Sequence, residues 1–215
     1  MNSNILRQIG LLRQLMMIGC LGCFCCFLSS CSETDDEDSE EFGNWQSRNE
    51  IYFASLEDSL SRGGSQWQKI KSYTKVESAA GDNSEYIYVK KLKNGEGASP
   101  LYTDSVRISY RGRLIPSASY AQGYVFDETF VGDFNWETTS AKNSLASGFL
   151  EGFTTALLHM RKGDHWRVYI PCQLGYGESS QNALIPNYST LIFDVILLDI
   201  TMPGVPFPAW SVRQR

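Results

Sequence analysis

"GFLEGFTTALLHMRKGD", residues 148–164, carries Leu150, Phe153, Leu157 and Met160 at i, i+3, i+7 and i+10. That spacing puts the four apolar side chains on one face of an α-helix. Glycines open the stretch at 148 and 152 and another closes it at 163, which predicts a short helix over 151–160. The helix is chemically sparse. It holds no obvious nucleophile, and its single histidine, His159, has no evident partner. His159 therefore reads as a surface or packing residue rather than a ligand.

Outward from this helix the period changes to two. "EYIYVKKLKNGEG" predicts a strand over 86–92 ending in a Gly-rich turn. In "DSVRISYRGRLI", Val106, Ile108 and Tyr110 alternate with Arg107, Ser109 and Arg111, a half-buried strand. "YVFDETF", "HWRVYIP" and "STLIFDVILLDI" add three more, the last being the most apolar. Strands around one short helix predict an α+β class, a twisted antiparallel sheet wrapped around the helix, since each apolar face then has a partner. The boundaries drawn are 84–201 for this domain and 202–215 for a C-terminal tail. Upstream, "WQSRNEIYFASLEDSLSR" places Trp45, Ile51 (or Tyr52), Leu56 and Leu60 on one side and stops at Gly63 and Gly64. Residues 45–83 therefore read as a helical N-terminal extension.

The start of the chain reads as a targeting segment. Arg7 and Arg13 precede the apolar run "LMMIGCLGCFCCFL", the length of a signal-peptide core and short for a bilayer span. The run ends in "LSSC", residues 28–31, which resembles a bacterial lipobox. Residues 1–30 are thus expected to be a lipoprotein signal peptide, with Cys31 acylated and the chain held at a membrane by its lipid. The implied location is the cell envelope, as an outer-membrane lipoprotein. Residues 31–44 follow as an acidic disordered tether, with seven carboxylates between Glu33 and Glu41. This patch reads either as a solvated spacer or as a signal for surface exposure.

Composition narrows the function. The chain has 215 residues, 42% hydrophobic and 13% aromatic, enough for one packed domain with extensions. Its formal charge is −5, and loss of Arg7 and Arg13 makes the processed chain more acidic still. An acidic surface excludes nucleic acid as the main partner, because phosphate binding needs a basic one. Cys20, Cys23, Cys25 and Cys26 lie in the segment to be removed and Cys31 is lipidated, so Cys172 is left as a free thiol. No G-x-S-x-G elbow, Walker A loop or H-E-x-x-H motif occurs. Two histidines are too few for the common His-based metal sites, and neither a metal nor a cofactor is expected. "NYS" at 187–189 matches a glycosylation sequon only on paper.

Five segments in register carry a resemblance: "VRISYRGRL", "YVFDETF", "FLEGFTTALLHMRKGDHWRVYIP", "LGYGE" and "ALIPNYSTLIFDVILLDI". From about residue 85 to 201 the chain resembles FKBP-type peptidyl-prolyl cis–trans isomerases. The resemblance implies that Tyr110 lines a pocket and meets Asp127, and that Phe126 forms a wall. It matches Phe149 and Leu150 to an apolar pair before the helix, the Leu150 N–H binding a substrate carbonyl. Phe153 matches the pocket floor, usually Trp in that family. Tyr176 matches a tyrosine whose hydroxyl binds a substrate carbonyl. Leu184 and Ile185 match flap residues over the proline, and Phe193 matches the inner wall.

The implied activity is prolyl isomerisation in the folding of exported proteins, and the implied partners are proline-containing polypeptides and a macrolide of the FK506 class. Such a reaction needs no nucleophile, because rotation about X–Pro makes no covalent bond. An FKBP-fold binding module without turnover, or a surface interaction protein working through 45–83 and the insertion at 128–148, are the rival readings. The sequence departs from the pattern at Phe153, at Phe149, whose bulk narrows the mouth, and at Asn187. The insertion is also longer than usual, with Phe134 and Trp136 as candidates for its aromatic wall.

Overall fold

The computed structural model describes residues 41–180 and 184–210. The expected signal peptide, the expected acylation site Cys31 and the expected tether up to residue 40 lie outside the described residues. The elements run α1 (Trp45–Arg62), β1 (Trp67–Lys71), β2 (Tyr86–Lys93), β3 (Ser105–Arg113), β4 (Val125–Glu128), β5 (Lys142–Leu145), α2 (Glu151–His159), β6 (His165–Ile170) and β7 (Leu191–Thr201). Every strand pairing is antiparallel, in the order β1-β2-β6-β7-β3-β4, with β5 beside β3. The expected α+β architecture is what forms.

β7 lies at the centre, between β6 and β3. Residues 191–198 of β7 are all buried, which explains why the strand reads as a nearly continuous apolar run rather than as an alternation. Phe193 turns toward α2, where its ring meets Phe153, while Ile196 and Leu198 turn the other way into a second apolar cluster. On its own face α2 sits close to the sheet. A Cβ on Gly152 would lie 2.4 Å from Ile170 Cγ2 and 3.2 Å from Ile87 Cγ2, so only glycine permits this seat. Leu157 and Met160 complete the buried stripe that the spacing predicts.

α1 covers the opposite face. Phe53 packs edge-on to Tyr88 at 5.1 Å, and Tyr52 lies 6.5 Å from Tyr169. Tyr88 and Tyr169 are partners in the β2–β6 register, so α1 spans that pair. The buried face of α1 is Trp45, Asn49, Phe53 and Leu56. Of the two alternatives expected on that face, Ile51 is 68% exposed, whereas Tyr52 is partly buried against the core. Residues 51–53 are all apolar, and the Tyr88 ring decides which of them is covered.

Several expected boundaries change. Residues 45–83 are not helical throughout: 67–71 form edge strand β1, with Trp67 stacked on Tyr169 at 5.5 Å and Ile70 in the core. The loop after β1 also reaches α2, because the Ser72 hydroxyl donates to Glu151 Oε1 at 2.5 Å. Residues 41–44 are not tether-like, since Phe42 packs on Trp45 at 5.1 Å and Glu41 accepts from Ser119 Oγ at 2.7 Å. Nor are residues 202–210 a loose tail. Arg107 Nη2 donates to the Pro208 carbonyl at 2.6 Å, and Trp210 stacks with Trp136 at 6.2 Å.

Candidate active site

A cavity of about 450 Å³ opens where α2 meets β3, β4 and β7, within the ~300–1,000 Å³ usual for small-ligand pockets. Its walls are Tyr110, Phe126, Phe149, Leu150, Phe153 and Phe193, with Asp127, Lys142, Gly148 and Tyr176 supplying the rest of the lining. Phe153, in the first turn of α2, is buried at the centre. It meets Phe193 edge-on at 5.0 Å, Tyr110 edge-on at 6.0 Å and Phe149 in a stack at 4.8 Å. Phe126 closes the box edge-on to Phe193 at 5.6 Å. Gly112 makes this packing possible, because a Cβ there would lie 2.6 Å from both the Phe126 and Phe193 rings.

Two polar groups are held in place and two are left open. The Tyr110 hydroxyl donates to Asp127 Oδ2 at 2.6 Å. Burial first, then this bond to the carboxylate, pushes the tyrosine pKa up, so the hydroxyl keeps its proton and stays a donor. Among the described residues no acceptor takes the Leu150 N–H at the N-cap of α2, and none takes the Tyr176 hydroxyl. Tyr176 is 39% exposed at the cavity rim, on the loop after the short 3-10 turn Cys172–Leu174. The arrangement can bind an apolar ring on an aromatic floor and offer donors to carbonyls beside it.

Eight of the ten pocket residues expected from the sequence meet here. Leu184 and Ile185 do not. Ile185 is 1% exposed and belongs to the core, and Leu184 is 50% exposed outside the cavity lining. The cause is the turn that follows: Ser189 Oγ accepts from Trp45 Nε1 at 2.9 Å, and the Thr190 N–H donates to Asn49 Oδ1 at 2.7 Å. α1 thereby ties this segment to the core rather than over the pocket. Phe149 does not shut the mouth, because it lies flat against Phe153.

Phe134 and Trp136 are not the missing wall either. They pack with Phe130, Ile196, Leu198 and Trp210 in the second cluster, on the face of the sheet away from α2. What the insertion contributes to the cavity is Lys142 and Gly148, neither of which the sequence reading selected. The available signal was alternation in the short strand "KNSL", too brief and too polar to register.

Residues 97–198 match the family model described as FKBP-type peptidyl-prolyl cis-trans isomerase. Over that stretch the chain is similar to the FKBP-type family. The chain is 38% identical over 114 residues to the FKBP-type 22 kDa peptidyl-prolyl cis-trans isomerase of Escherichia coli (strain K12), covering 53% of this chain and 50% of that protein. It is 32% identical over 114 residues to the outer membrane protein MIP of Legionella longbeachae, covering 53% of this chain and 44% of the relative. The chain thus spans about half the length of these curated relatives. Among solved structures, the crystal structure of FkpA from Escherichia coli superposes with a TM-score of 0.54 at 24% identity, over 75% of this chain and 63% of that one. At that identity the likeness speaks for the FKBP fold alone.

Proposed function

We propose that the protein is a peptidyl-prolyl cis–trans isomerase that assists the folding of exported proteins. One observation carries the reading: a buried aromatic floor, Phe153, shares one cavity with two unoccupied donors, the Leu150 N–H and the Tyr176 hydroxyl. Turning an X–Pro bond faces a barrier of about 18–20 kcal/mol because amide resonance must be broken. The planar amide is more charge-separated than the twisted one, so an apolar box that strips its water favours the twisted form. Ring burial against Phe153 and Phe193 supplies binding energy to offset that desolvation. The Tyr110–Asp127 bond fixes the wall, and the two free donors orient the carbonyls without exchanging protons with them.

The matched relatives carry names of isomerases and of an outer membrane protein, which supports a place in the cell envelope. The lipobox "LSSC" further supports acylation at Cys31, an outer-membrane anchor and exposure at the surface through the acidic segment that follows. The same cavity would take a macrolide of the FK506 class as an inhibitor.

The test is protease-free NMR exchange on a Leu-Pro peptide. Turnover above background is expected. Tyr176→Phe keeps the ring and removes one hydrogen bond worth about 0.5–1.5 kcal/mol, so turnover should fall roughly two- to twelve-fold with little change in melting temperature. Binding of the peptide without exchange would leave a proline-binding module in place of an enzyme.

A further inference from the structure

We propose that Lys142 makes this site selective for segments carrying a carboxylate on a residue flanking the proline, an inference that rests on the isomerase reading above. Two charged side chains line the cavity, Asp127 and Lys142. The Asp127 carboxylate is occupied by the Tyr110 hydroxyl at 2.6 Å. Lys142 is not matched in the same way. Lys69, Lys71 and Lys162 each have a carboxylate partner, whereas Lys142 has none among the described residues. Its Nζ lies 3.5 Å from the Tyr110 hydroxyl, 5.6 Å from the Tyr110 ring centroid and 5.9 Å from that of Phe149. The ammonium therefore stands at the aromatic mouth with no direct carboxylate contact among the described residues, Asp127 lying across the shared Tyr110 hydroxyl.

The backbone holds it there. Lys142 opens β5 and pairs with Ile108, two residues before Tyr110 on β3, so it shares the sheet face of both. Its side chain is exposed, so a ligand can reach the ammonium without a buried charge being created on the protein. A ring seated on Phe153 brings its neighbouring residues to the rim formed by Phe149, Tyr110 and Lys142. A glutamate or aspartate there meets a cation that touches no carboxylate among the described residues. In a chain of net charge −5, an acidic client is otherwise repelled at long range, and this local cation offsets Asp127 and offers a carboxylate a short-range partner.

The experiment compares Leu-Pro-Phe, Glu-Pro-Phe and Leu-Pro-Glu peptides on the purified protein and on Lys142→Met and Lys142→Arg, reading both isomerisation and binding by NMR titration. Preference for one acidic peptide relative to Leu-Pro-Phe should fall about two- to five-fold in Lys142→Met, the size of an exposed ion pair, and return in Lys142→Arg. In the unmodified protein that preference should also shrink between low and high salt. If Lys142→Met changes all three peptides in equal proportion, Lys142 only supports Tyr110 and the proposal is overturned. Absence of Leu-Pro-Phe turnover would instead count against the isomerase reading. The binding ratios then still decide the charge preference, and equal ratios would overturn it there too.

Discussion

Asn49→Ala tests whether α1 belongs to the same cooperative fold as the pocket. Asn49 is 2% exposed and makes two bonds, donating from Nδ2 to the Trp45 carbonyl at 2.7 Å and accepting the Thr190 N–H at 2.7 Å. The Trp45 carbonyl sits in the first turn of α1, so losing the side-chain donor there costs about 0.5–1.5 kcal/mol. Thr190 is buried, and its N–H loses its acceptor outright, which costs about 1–3 kcal/mol. The expected loss is therefore roughly 1.5–4.5 kcal/mol, taking the two contributions as additive. For a chain of this size that corresponds to a melting temperature about 3–18 °C lower. Ile51→Ala on the same helix is the control. Ile51 is exposed and should change stability by no more than about 0.5 kcal/mol. Urea denaturation followed by circular dichroism reads both variants. If Asn49→Ala costs as little as Ile51→Ala, α1 is not docked on the Thr190 segment as described. A separate early transition for α1 would equally refute a single cooperative unit.

Burial holds the His165 pKa below its usual 6.5, and beside Phe134 its Nε2 is buried with no hydrogen-bond partner among the described residues. A group depressed by folding gives stability that is present above 6.5 and is lost as pH falls through the lower folded value, so melting temperature should drop between pH 7 and 5.5, less so in His165→Gln. An equal slope in the variant would place the pH sensitivity elsewhere. Cys172 is a free, buried cysteine whose thiol is pushed up by burial first and by Glu178 second. A raised thiol pKa leaves less thiolate at pH 8, so native Cys172 should alkylate far more slowly there than in urea. Equal rates would mean that the thiol is open to solvent in the folded protein.

The sequence by itself determined the helix at 151–159 and the five strands β2, β3, β4, β6 and β7, because the helix keeps a period of 3.6, β3 alternates with a period of 2, and β7 is a short apolar run bounded by turn residues. The resemblance it carries also located eight of the pocket residues, since the motif segments keep their spacing along the chain. Other features depended on contacts between distant segments. Phe53, not Ile51, faces inward because the Tyr88 ring waits on β2. Ile185 leaves the pocket for the core because Trp45 and Asn49 hold Ser189 and Thr190, more than a hundred residues away in the chain. Phe134 and Trp136 pair with Trp210 across the far face of β7, while polar Lys142 reaches the mouth of the site. Periodicity reports which side of an element is apolar, but not which of two apolar surfaces will cover it. That choice is made by long-range packing, where burying one aromatic against a specific ring outweighs any local preference of the segment that bears it.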